Sequence, residues 1–312
     1  HASFSSRSQR PRNTDLRHHA AQSRPKVLLE GLERVARENF PVGSALIAPR
    51  LRGAVAAFYA FARAADDAAD DPSLPPERKL ARLDAFEGGL DGAEGGATEG
   101  RRLAAALAEV GRPGGAEEAR RLLRAFRADA RGLRCATWGD LMAYCADSAD
   151  PVGRFLLDLH GEGPEGVGAS DALCTALQVL NHLQDLRVDH LRLGRRYLPG
   201  DWRREEGATD QDLGREAATP ALRRAIGRAL ERTEGLLDRA EALPGLLRSR
   251  RLAGEAEAIL HLARRLQGRL RRADPLAGRV APTRLDWAGA AAWGVLRLLR
   301  PARAGATRGA TA

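Results

Sequence analysis

The stretch Gln178-Val179-Leu180-Asn181-His182-Leu183-Gln184-Asp185-Leu186-Arg187-Val188-Asp189 carries two messages on one helical period. Gln178, Asn181, Asp185 and Asp189 follow at steps of three, four and four, which puts them on one side of a helix. Leu177, Val179, Leu180, Leu183 and Leu186 fill the remaining faces. A stripe of amide and carboxylate oxygens between apolar faces is costly to bury without a ligand. Over a hundred residues earlier the pattern recurs: Tyr59, Arg63, Asp66 and Asp70 follow at steps of four, three and four, beside Phe58 and Phe61. This second stripe ends in Asp66-Asp67-Ala68-Ala69-Asp70-Asp71. Carboxylates four apart on a helix repel by about 0.2–0.5 kcal/mol per pair unless a cation sits between them. Magnesium suits the position, because it takes oxygen ligands and is usually shared between one or two carboxylates and substrate phosphates. Either acidic run alone reads as a solvated face or a helix end, and Asp71-Pro72 is such an end. The repetition favours Mg2+ on Asp66, Asp70, Asp185 and Asp189, with two helices clamping a diphosphate between them.

Outward from these stripes the 3.6-residue period continues, and strand-like alternation is missing. Helices are expected at about 26–38, 51–71, 76–88, 100–110, 116–131, 138–148, 151–160, 170–191, 217–242, 247–273 and 284–300. The class is all-α, as a single domain with an elongated central cavity. The expected organisation is a disordered leader at 1–25, the enzyme domain at 26–283, and a basic and apolar C-terminal segment with its tail at 284–312. The glycine-rich stretch from Gly88 to Gly100 is expected to be a mobile loop without a phosphate-binding pattern.

The net charge is +9, yet it is almost all arginine scattered through every helix, with only Lys26 and Lys79 as lysines. That distribution argues against nucleic acid and suits an anionic lipid surface. No stretch is apolar for long enough to cross a bilayer. Trp287 to Leu299 comes nearest, and reads either as an interfacial anchor or as a helix packed on the domain. A cytoplasmic chain, peripheral at the inner membrane face, is expected. Cys135, Cys145 and Cys174 are odd in number and lack a metal spacing, so reduced, partly buried thiols are expected. His182 is expected to be a core or rim histidine rather than a base.

Four segments together resemble the squalene and phytoene synthase family, the head-to-head prenyl transferases. They are Asn39-Phe40-Pro41-Val42; Tyr59-Ala60-Phe61-Ala62-Arg63-Ala64-Ala65-Asp66-Asp67-Ala68-Ala69-Asp70; Tyr144-Cys145-Ala146-Asp147-Ser148-Ala149-Asp150-Pro151-Val152-Gly153; and the 178–189 stretch, closing with Gly194-Arg195-Arg196-Tyr197-Leu198-Pro199. The first and third are most similar to the bacterial hydroxysqualene synthase branch of hopanoid biosynthesis.

The resemblance implies an isoprenoid synthase-type helical bundle. It also implies Mg2+-dependent conversion of presqualene diphosphate and water to hydroxysqualene. Open alternatives are a presqualene diphosphate, squalene or phytoene synthase joining two prenyl diphosphates, and a non-catalytic polyprenyl-binding scaffold. Arg63 and Arg195 would set guanidinium forks on phosphate oxygens. Ser44, Asp67 and Tyr197 join them as substrate-binding residues. Gln178 and Asn181 would contact the cation, the diphosphate or a reacting water. Tyr59 and Tyr144 would bring ring faces or hydroxyls to a carbocation. Gln184 departs from relatives that carry a basic residue there. No Gly-x-Gly-x-x-Gly pattern follows a strand-like run, so no NADPH site is expected. Other enzymes of the squalene and hopanoid pathway are expected partners.

Overall fold

The computed structural model describes residues 47–299. The expected leader and first helix, the Asn39–Val42 segment, Ser44 and the tail from residue 300 lie outside the described residues. Among the described residues there are thirteen α-helices and no strand. A short 3-10 turn at Pro49–Leu51 leads into α1 (Arg52–Asp70), an alanine-rich helix that ends where Asp71, extended before Pro72, leaves the helical region. Asp71 then shapes the turn by accepting from the Ser73 amide at 3.0 Å and the Ser73 hydroxyl at 2.6 Å. Pro76 opens α2 (Pro76–Leu90), and α3 (Thr98–Glu109) and α4 (Gly115–Ala130) follow.

The stretch from Gly88 to Gly100, expected as a mobile loop, is a close-packed corner. A Cβ on Gly89 would lie 2.3 Å from the Ala97 carbonyl, and one on Gly100 would lie 2.5 Å from the Phe86 carbonyl. Glycine is used here for close backbone approach, not for freedom.

A capping box opens α5 (Trp138–Ser148): the Asp140 amide donates to the Thr137 hydroxyl at 3.2 Å, and the Asp140 carboxylate accepts from the Thr137 amide at 2.9 Å. α6 (Asp150–His160) ends on left-handed Gly161, and α7 (Val167–Gln184) is buried along nearly its whole length. Gly153 lets α6 and α7 touch, since a Cβ there would meet the Ser170 hydroxyl at 2.4 Å and the Cys174 sulfur at 2.7 Å. The helix expected over 170–191 is broken at Asp185, whose φ of −103° and ψ of 10° separate α7 from α8 (Leu186–Leu193). α9 (Gly200–Glu205), α10 (Pro220–Ala240), α11 (Leu243–Leu246), α12 (Arg250–Arg272) and α13 (Arg284–Leu299) complete the order. The short helices α9 and α11 were not foreseen, being shorter than the two turns over which a period can be read.

Two apolar clusters form the core. One joins α1, α2, α3, α4 and α6 through Phe58, Phe61, Leu83, Leu103, Leu122 and Phe155. The other gathers α5, α7, α10 and α12 around Leu177, Leu180, Ile226, Leu237 and Leu266. α13 lies along α12 where Gly254 and Gly294 leave no room for side chains: a Cβ on either would come within 2.9 Å of the other's carbonyl.

Candidate functional site

The two aspartate stripes meet at the seam between these clusters, and Arg195 is the residue that joins them. Gly194, at φ 64°, ends α8 in a left-handed turn, and the Arg195 amide donates to the Asp189 carbonyl at 3.1 Å. The next residues pair with the segment that follows α4: the Arg196 amide donates to the Leu133 carbonyl at 3.1 Å, and the Cys135 amide to the Arg196 carbonyl at 2.8 Å. This short bridge drives the Arg195 side chain inward, where it is 2% exposed. Its Nη2 lies 2.6 Å from the Asp70 carboxylate, and its Nε lies 3.5 Å from the Asp129 carboxylate and donates to the Asp129 carbonyl at 3.2 Å. Burial works against its charge, but Asp129 and Asp70 outweigh burial and raise its pKa further.

Asp66 is 2% exposed on the buried side of α1. Burial first, then the like charges of Asp70 and Asp129, push its carboxyl well above the usual range, and Arg195 and Arg63 offset only part of this. Asp189, 1% exposed on α8, is also raised by burial, with Arg195 again the opposing charge. One guanidinium therefore acts on carboxylates of both stripes. Asp185 stands half-buried at the helix break: its amide donates to the Asn181 carbonyl at 3.0 Å, and its carbonyl accepts from the Asp189 amide at 2.9 Å. Gln178 and Asn181 are buried on α7 just before it.

Arg63 and Asp67 are placed differently from the rest. They form an ion pair of 2.8 Å along the outer side of α1, and the Asp67 side chain is 58% exposed. Tyr59, half-buried, packs against the first apolar cluster. Tyr144 and Tyr197 come together with ring centroids 5.1 Å apart. His182 is buried and stacks on Tyr197 at 3.8 Å and 6°, consistent with a core histidine. Gln184 turns away from the stripe to donate to the Val280 carbonyl.

Two residues escaped the sequence reading. Asp129, 4% exposed, accepts from the Tyr144 hydroxyl at 2.7 Å and from the Tyr197 hydroxyl. Its signal was available: it follows Leu122 and Phe126 at seven and three residues, inside the apolar stripe of α4. The charged run Arg127-Ala128-Asp129-Ala130-Arg131 disguised it as a solvated face. Lys79, on the first turn of α2, is half-buried within the field of Arg195, Asp70 and Asp71. Burial and Arg195 lower its pKa more than the two aspartates restore it. Nothing in its local sequence marks this.

Among the described residues no group of three or more His, Cys, Asp or Glu is gathered closely enough to hold a metal ion unaided. The donors still suit a hard cation that takes one or two carboxylates and completes its shell from phosphate and water. Asp66 shows this best: all-oxygen, a turn from Asp70, buried among like charges with too little positive charge to balance them.

Residues 34–294 match the family described as Squalene/phytoene synthase. The chain is 43% identical to a hydroxysqualene synthase of Rhodopseudomonas palustris over 78% of its own length and 82% of the relative's. It is 41% identical to that of Zymomonas mobilis over 81% and 86%, respectively. A phytoene synthase of Rhodobacter capsulatus is 33% identical over 67% of this chain and 62% of that one. Among solved structures, squalene synthase from Alicyclobacillus acidocaldarius superposes with a TM-score of 0.65 at 35% identity, covering 78% of this chain and 92% of that one.

Proposed function

The chain belongs to the squalene/phytoene synthase family, and from that premise we propose that it is a hydroxysqualene synthase, converting presqualene diphosphate and water to hydroxysqualene and diphosphate. The observation that carries the branch is the greater likeness to hydroxysqualene synthases than to a phytoene synthase, over a larger share of both chains.

Asp66, Asp70, Asp185 and Asp189 would hold Mg2+, which when bound neutralises charge on the departing diphosphate. Arg195 lies between the two stripes with its charge secured by Asp70 and Asp129, so it can meet phosphate oxygens without first being ordered. Arg63 would add a second guanidinium from the rim by exchanging Asp67 for phosphate. The Gln178 and Asn181 amides supply polar contacts from a helix whose buried residues are mostly apolar. Tyr144 and Tyr59 would offer ring faces to a carbocation. The apolar surroundings keep out stray water until the intended capture. The test is purified protein with presqualene diphosphate and Mg2+ but no NADPH, in oxygen-18 water. The expected product is a hydroxylated C30 alcohol carrying the label. Formation of presqualene diphosphate or phytoene from shorter diphosphates would overturn the branch and leave the family standing.

Peripheral attachment to an anionic membrane belongs to the same reading. No described helix is long and apolar enough to cross a membrane. α13 is held by α12 on one side, while Leu285, Trp293, Val295, Leu296 and Leu299 are exposed on the other. Leu246 on α11 is also exposed, and the Arg297 guanidinium donates to the Pro244 carbonyl of that helix. An apolar helix face among arginines fits a headgroup boundary.

A further inference from the structure

We infer that Lys79 is a substrate-binding residue that sets its ammonium on a phosphate oxygen beside Arg195; this rests on the diphosphate site proposed above and adds to it a group from outside both stripes. Lys79, Leu83 and Phe86 follow at steps of four and three, on the side of α2 that packs against α1. Leu83 is fully buried, and the Phe86 ring meets Phe61 of α1 edge-on with centroids 5.7 Å apart. At the other end of this contact Arg82 reaches back to Asp71 at 3.1 Å, where α1 ends. Lys79 lies one turn before Leu83, so the packing carries it to the last turn of α1, within the fields of Asp70 and Arg195.

This is a poor place for a cation left to the fold alone. Lys79 is half-buried, stands in the first turn of α2 where the helix dipole opposes positive charge, and faces a second cation. Both carboxylates near it are engaged elsewhere: Asp70 pairs with Arg195 at 2.6 Å, and Asp71 with Arg82. Among the described residues its ammonium has no ion-pair or hydrogen-bond partner. Arg195 shows the same surplus, since its Nη1 is buried without a hydrogen-bond partner. Two donors of positive charge are thus left open beside Asp70, where the stripes meet. A diphosphate supplies what both lack, several oxygens that share negative charge. Lys79, the one lysine among the described residues, suits it as a compact charge with three donors.

The test is calorimetric titration of the full chain with inorganic diphosphate in the presence of Mg2+, which reads binding without turnover. Lys79→Met keeps the stem and removes the charge. Arg78→Met removes the same charge from an exposed neighbouring position and reports the general field. The expected result is roughly tenfold weaker diphosphate binding in Lys79→Met, the effect of one charge-assisted hydrogen bond, with less than about a twofold change in Arg78→Met and no loss of Tm in either. Lys79→Arg is expected to recover most of the affinity. A Lys79→Met protein that binds diphosphate as wild type does, or loses no more than Arg78→Met, overturns the inference and leaves the diphosphate site standing. If Lys79→Met does not fold, Lys79→Gln carries the same reading. Wild-type protein that binds no diphosphate would instead sink the proposed site, and this inference with it.

Discussion

Asp66 and Asp286 are the same residue type, equally hidden at 2% and 1% exposure, yet their surroundings treat them in opposite ways. Asp286, on the first turn of α13, receives the Thr283 amide and hydroxyl at 2.8 Å each, Arg265 at 2.8 Å and Arg269 at 2.9 Å. Burial would raise its pKa, but these donors overcome burial and hold it well below the ordinary range. Asp66 has burial and two like charges on one side and only part of two guanidinium fields on the other, so its pKa rises. A carboxylate that serves the fold is satisfied within the fold. One left in deficit is arranged for a charge the protein does not itself supply.

The largest effect that would break this contrast is on turnover. Asp66→Asn is expected to lower diphosphate release from presqualene diphosphate by roughly two orders of magnitude or more, while thermal stability stays at least at the wild-type level, since a deficit is removed. Near-normal turnover would return Asp66 to the class of Asp286. Asp70→Ala is a less clean probe than its sequence suggests, because it strips an ion pair from buried Arg195.

Asp150 sharpens the comparison as an intermediate case. It accepts from the Thr175 hydroxyl at 2.8 Å, yet burial and then the nearby Asp171 push its pKa to about 7. A folded-state pKa above the unfolded value of about 3.9 means the native state holds the extra proton between them. Stability is then lost as pH rises from about 4 to 7, and the slope vanishes above. Asp150→Asn keeps the oxygen that Thr175 reaches. It is expected to stabilise the protein by about 2–3 kcal/mol at pH 8 and hardly at all at pH 4, as read from urea unfolding at the two pH values. Equal effects at both would show that the carboxyl titrates normally.

Asp286 carries the reverse sign. Its contribution is present above the unfolded pKa and is lost as pH falls through the depressed folded value. Asp286→Ala is expected to cost about 2 kcal/mol at pH 7, by losing a cap and charge-assisted donors whose arginines can still reach water. Turnover per folded molecule should be unaffected. The smallest expected effect concerns the outer face of the same helix. Leu296→Glu is expected to weaken binding to anionic vesicles several-fold with no change in Tm, because the residue is 51% exposed. Unchanged vesicle binding would remove α13 from the membrane reading.

Helix positions were largely legible because amphipathic period survives in a single chain: the expected ends of the helix at 138–148 match, and those of α1 lie within a residue. The break at Asp185 was not legible, since the apolar and polar stripes run through it unbroken and only backbone angles mark it. The residues of both aspartate stripes were chosen by spacing alone, and Arg195 and Tyr197 by resemblance. Asp129 could have been found by asking why a carboxylate interrupts an apolar stripe. Lys79 could not, because its place depends on how the turn at Asp71 folds α2 back toward Arg195.

By itself the sequence determined the helical class, the two oxygen-bearing stripes and the segments that mark the family, because each is written in spacing along one chain. Only the tertiary structure decided which charges meet. Arg195 reaches Asp70 from 125 positions further along the chain, and Tyr144 and Tyr197 share Asp129 from three separate segments. Electrostatic balance is a property of distance and burial, and neither is recorded in the order of residues.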